Sequence, residues 1–172
     1  MDDFFNRHNH HSASVEVSNC NLIELHHTIS DLTPEELREV VDTYFGDTLE
    51  ITSTILKDDA SIKVIECVTS TLSVLLKPDE KWADTSPCGK FILEANLGRA
   101  LNNLTLAAIN EVNSELPGVK IYRKGENVYA GAYINVSGGA TAQTLVNQIE
   151  YFLQTSQRLQ LSLFDATNVN AN

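Results

Sequence analysis

The chain reads as an α+β domain in which helices pack on one face of an antiparallel sheet. Three observations lead there. β-Branched residues dominate 48–77, the span 119–136 alternates like a hairpin, and apolar residues at helical spacing follow at 141–163. At 172 residues, the chain is long enough to bury one real core.

Residues 1–30 form a polar, His-rich arm, and Leu22, Leu25, His26 and Ile29 are spaced as in a short helix. The domain proper runs from 31 to 164. In "LTPEELREVVDTYFG", Thr33 can cap a helix, Pro34 suits its first position, and Glu36 completes a capping box. Leu37, Val40, Val41 and Tyr44 share one apolar face, and Gly46 stops the helix. From 48 to 77 two or three strands are expected around a turn at Lys57-Asp58-Asp59. The second half of that span also fits a helix, because Ile62, Ile65, Thr69, Leu72 and Leu76 align on one side.

A polar loop with two prolines follows, anchored by Trp82, and "KFILEA" is a further strand. The spacing of Leu97, Leu101, Leu104, Ala108 and Val112 predicts the longest helix over 97–116, ended by Pro117-Gly118. Asn103, Asn110 and Asn113 lie on another face of it. "VKIYRKGENVYAGAYINV" is a hairpin whose Gly125-Glu126 turn suits type II′ geometry and pairs Tyr122 with Tyr129. Alternation then puts Tyr129, Gly131, Tyr133 and Asn135 on one side of the second strand, and Val128, Ala130, Ala132, Ile134 and Val136 on the other. The closing helix, 141–163, buries Leu145, Ile149, Phe152 and Leu153, and 165–172 is a polar tail.

Composition narrows the function classes. Twenty-three acids against 12 bases give a net charge of −11, and the only tight basic cluster is Arg123-Lys124. A groove along a nucleic-acid backbone needs a basic stripe, so neither nucleic acid nor an anionic membrane surface is an expected partner. No apolar run approaches bilayer length. Acids at the N-terminus and three scattered cysteines (Cys20, Cys67, Cys88) point to a cytoplasmic protein with free thiols.

Chemical motifs are few. "INVSGGATAQT" has the outline of a phosphate loop, an apolar strand running into two glycines and a helix. It lacks the lysine and hydroxyl that follow the glycines of a Walker loop, and its strand belongs to a hairpin rather than a parallel βαβ unit. It therefore reads as a turn, with Thr141 as helix cap and Gly138 or Gly139 at positive φ. His8, His10 and His11, with His26, His27 and Cys20, are weak metal candidates, since no catalytic ligand spacing is present. Cys67 falls in a strand, and Cys88 in a loop is the more reactive thiol. No catalytic residue and no cofactor are expected. Tyr122, Tyr129 and Tyr133, with Gly131 leaving a gap between them, make an aromatic surface suited to a protein partner.

The run "LGRALNNLTLAAINEVNSELPGVKIYRKGENVYAGAYINVSGGATAQTLVNQIEYFLQTSQRL" resembles the YbjN-like family. Its pattern is a long helix, a hairpin, a "SGG-A-T" connector and a closing helix. The resemblance covers 97–160, with weaker agreement from 33 to 77, and extends to related cyanobacterial domains of unknown function. It implies the fold of type III secretion chaperones, a domain that dimerises and that holds or senses another protein without catalysis. The expected function is a non-enzymatic, chaperone-like adaptor or regulator that binds a protein or peptide segment as a homodimer. Two alternatives stand beside it: a structural subunit of a virion or surface assembly with ordered arms, and a histidine-metal enzyme.

Overall fold

The computed structural model describes residues 25–55, 63–79, 87–100 and 104–165. In chain order the elements are β1 (Thr28–Ile29), α1 (Pro34–Phe45), β2 (Glu50–Ile55), β3 (Lys63–Val68), β4 (Ser73–Pro78) and β5 (Lys90–Arg99). After them come α2 (Leu106–Glu115), β6 (Val119–Lys124), β7 (Asn127–Asn135), β8 (Ala140–Thr141) and α3 (Ala142–Asp165). Six of the strands form one antiparallel sheet in the order β2-β3-β4-β5-β7-β6. Strands β2 to β5 meander; α2 then carries the chain to the far edge, and the β6–β7 hairpin returns to pair with β5. The fold class is thus α+β, as the sequence implies.

Helices α1 and α3 pack on one face of this sheet and on each other. The capping box of α1 forms as expected: Glu36 N–H donates to Thr33 Oγ1 at 3.2 Å, and Thr33 N–H donates to Glu36 Oε2 at 2.8 Å. Such a cap stabilises a helix by about 1 kcal/mol. Leu37, Val40, Val41 and Phe45 of α1 are buried with Leu145, Ile149, Phe152 and Leu153 of α3. Strand positions at period two complete the core: Ile65 and Cys67, Val74 and Leu76, Phe91, Leu93, Ala95 and Leu97, then Ala130 and Ile134. Gly46 ends α1 without entering the left-handed region, at φ −58°.

Two expectations are corrected. The spacing of Leu25, His26 and Ile29 does not make a helix; a turn at 25–26 leads into β1. The helix expected over 97–116 is shorter and starts later, because β5 continues through Arg99 and α2 spans Leu106–Glu115. Phe91, Leu93, Ala95 and Leu97 are buried at strand spacing, so two-residue periodicity prevails where a helical stripe also fits. Gly98, at φ 117°, sits in a β-bulge, a conformation open to glycine. Among the described residues the longest helix is α3, with 24 residues. The ambiguous span after 62 resolves as strands β3 and β4, while the Lys57-Asp58-Asp59 turn and Trp82 lie outside the described residues.

The outer edge of β6 is sealed by a side chain of α2. Asn113 Nδ2 donates to the Ile121 carbonyl at 2.9 Å, and the Ile121 N–H donates to Asn113 Oδ1 at 2.7 Å. One carboxamide thereby occupies the place of a neighbouring strand. Lys120 Nζ reaches the carbonyls of Asn113 and Leu116 at the C-terminal end of α2, at 2.6 and 3.3 Å, where a cation suits the helix dipole.

Candidate functional site

The second face of the sheet carries no helix among the described residues. Toward β2 it holds Val64, which is buried; across β5, β7 and β6 it opens out. The open part presents Ile92 and Glu94 from β5, Tyr129, Gly131 and Tyr133 from β7, and Tyr122 from β6, all in register.

The hairpin register places Tyr122 opposite Tyr129, as the two-residue turn at Gly125 (φ 62°) requires. Their rings stack with centroids 5.7 Å apart and planes 16° from parallel. Tyr122 then extends across Gly131 toward the next strand but one. A Cβ on Gly131 would stand 3.2 Å from Tyr122 Cε1, so the missing side chain is what lets the ring pass. Beyond it the Tyr122 hydroxyl donates to Glu94 Oε2 at 2.6 Å, and Lys77 Nζ from β4 meets Glu94 Oε1 at 2.7 Å.

This chain of contacts sets the ionisation of its members. Burial opposes the charge on Glu94, but the bonds from Lys77 and Tyr122, with the charges of Lys77 and Lys124, outweigh it and hold the carboxyl below its usual range. Burial, and then the bond to the Glu94 carboxylate, push the Tyr122 hydroxyl well above its ordinary value. The tyrosine therefore remains a protonated donor fixed on Glu94.

Tyr133 stands apart from the stacked pair, four residues along β7 from Tyr129, a strand distance of about 13 Å. It is 51% exposed, and its hydroxyl donates to Asp79 Oδ2 at 3.1 Å. On the helix-covered side of the same strand a cleft of about 260 Å³ opens between β7 and α3, floored by Leu93, Ile134 and Phe152, with Tyr133 and Tyr151 among its lining residues. The three tyrosines share a face, but only two touch. Glu94, Lys77 and Tyr151 are the additions that sequence reasoning missed. Glu94 had a signal: it is the one acid in "KFILEA", at the outward phase of a strand whose inward phase is Phe91, Leu93 and Ala95.

The remaining motifs resolve structurally. Gly139 takes φ 85°, as the connector reading predicts, and Thr141 Oγ1 accepts the Thr144 N–H at 3.2 Å as helix cap. Further N–H groups at the start of α3 are already engaged: Ala142 donates to the His27 carbonyl at 3.0 Å and Gln143 to the Leu25 carbonyl at 2.9 Å. The donors that a phosphate would need at a helix N-terminus are thus taken up by the chain itself.

His8, His10, His11 and Cys20 lie outside the described residues. His26 and His27 are exposed, and among the described residues no three His, Cys, Asp or Glu side chains gather as a metal site. Burial, with the nearby Glu66 charge, pushes the Cys67 thiol up to about 12, which leaves it unreactive. Cys88 Sγ donates to the Lys90 carbonyl at 3.0 Å. No helix among the described residues is long and apolar enough to cross a membrane. No family model matches the chain, and no curated protein matches it.

Proposed function

We propose that this protein is a non-enzymatic binding module, a chaperone-like adaptor or regulator that acts as a homodimer and holds a segment of another protein. The observation that carries this reading is the open sheet face with its stacked Tyr122–Tyr129 pair. Tyrosine offers large contact area at low entropy cost, and here the Glu94 bond already fixes one ring before any partner arrives. A surface held rigid in advance loses little freedom on binding. The helix, strand meander, helix, hairpin and closing helix, in that order, support the resemblance to the secretion-chaperone fold. Free Cys67 and Cys88 favour the cytoplasm as the place of action.

The binding surface is the open face itself, from the Tyr122–Tyr129 pair along β7 to Tyr133. A photo-crosslinking residue placed at Tyr129 or Tyr133 in the native cell is expected to capture a discrete protein, whereas the same residue at Glu36 on the outer side of α1 is not. Equal labelling from all three positions, or none from the two tyrosines, overturns the reading.

A further inference from the structure

Helices α1 and α3 cover the same face of the sheet, yet their outer surfaces differ in kind. Five of the 12 residues of α1 are charged (Glu35, Glu36, Arg38, Glu39, Asp42). Over 24 residues α3 carries only Glu150, Arg158 and Asp165. An exposed helix normally keeps charge on its water side, and interface cores are the surfaces depleted of it.

The outer positions of α3 are Thr144, Asn147, Tyr151, Gln154, Arg158 and Leu161, all exposed. Their spacing alternates three and four residues, the period of a coiled-coil seam. Tyr151 is 44% and Leu161 59% exposed, two of the large apolar side chains that the described surface leaves in water. Several polar neighbours are already satisfied along the helix: Gln143 Nε2 donates to Asn147 Oδ1 at 2.7 Å, and Gln154 Nε2 to Glu150 Oε1 at 3.1 Å. Covering them therefore costs less than covering free carboxamides.

From this pattern we infer that the outer face of α3 is the dimer surface, occupied by α3 of a second copy in antiparallel, two-fold pairing. A two-fold axis level with Ser156 sets Tyr151 against Leu161 of the second copy, and Gln154 against its Arg158, each contact occurring twice. Because Gln154 is bonded to Glu150, that arginine comes within reach of an opposite charge. The two charges nearest the centre of the seam are thus complementary to their own copies. Leu161 of the second copy also reaches the mouth of the cleft beside Tyr151. This assignment rests on the homodimeric reading above and gives it a surface, leaving the tyrosine face of each copy free for a partner.

Sedimentation equilibrium on the full chain tests it. The unmodified chain is expected to dimerise, and Tyr151→Glu and Leu161→Glu to weaken the dimer by about tenfold or more, with the circular dichroism spectrum unchanged because both positions face outward from the monomer. Glu150→Arg should weaken it as well, and Glu150→Arg combined with Arg158→Glu should restore it. A monomeric unmodified chain, or dimers that survive both glutamate insertions, overturns the assignment. Neither result alters cross-linking through Tyr129, which reports on partner binding alone.

Discussion

The two faces of the central sheet are built on different principles. The face under α1 and α3 is held by packing: Leu93, Ala95, Ile149 and Phe152 are fully buried, and shape fixes their positions. The open face is held by bonds. Lys77, Glu94, Tyr122 and Tyr129 form a line across four strands in which ion pair, hydrogen bond and ring stack follow one another. The contrast shows how a half-buried sheet face can be kept rigid where no described helix lies over it. Ironically, the unpartnered hydroxyl lies on the packed side, where Ser156 Oγ is buried without a hydrogen-bond partner among the described residues.

Truncation on the packed side should have the largest effect. Phe152→Ala is expected to cost about 3–5 kcal/mol, read as a lower denaturant midpoint, because a full ring leaves a cavity between α3 and the sheet. On the open side, Tyr122→Phe should cost only about 1.5 kcal/mol, the price of one bond to a charged acceptor. Its clearer mark is in the pH profile. Glu94 is held below its unfolded value, so its contribution is present above the usual carboxylate range and is lost as pH falls through the lowered native value. Unfolding across that acid range should therefore show a shallower loss of stability in Tyr122→Phe than in the parent chain. If the two profiles coincide, the bond to Glu94 does not organise the face.

The smallest expected effect has the opposite sign. Ser156→Ala removes a desolvated hydroxyl and improves helix propensity, and should raise stability by about 1 kcal/mol, a rise in melting temperature of roughly 2–4 °C. A loss instead would mean that Ser156 has a bond the described residues do not supply.

How much of this was legible beforehand depended on how local the cause was. The Thr33–Glu36 capping box, the Gly125 turn with its Tyr122–Tyr129 pairing, and the positive φ in the glycine connector were all readable, because each is fixed within a few residues. The boundary at 97 was misplaced because "LEANLGRAL" satisfies strand and helix periods together, and only the sheet register decides between them. The Glu94 contact was out of reach for a related reason. It joins residues 28 positions apart through an intervening strand, and local patterning carries no information about which strand lies in the middle. Tyr151 carries no signal of its own in the sequence, because only the packing of α3 defines which of its faces is turned outward.

The small β1–β8 sheet has a consequence for synthesis. It pairs Thr28 with Thr141 and Ile29 with Ala140, and the carbonyls of Leu25 and His27 receive the first N–H groups of α3. On the ribosome, residues near the start of the domain must wait for a strand more than a hundred positions later. Closing so long a loop is entropically costly, which places this clasp among the last contacts to form. Until translation passes the glycine connector, the nascent sheet has no α3 over its apolar face, and the growing chain is at its most vulnerable to aggregation during that interval.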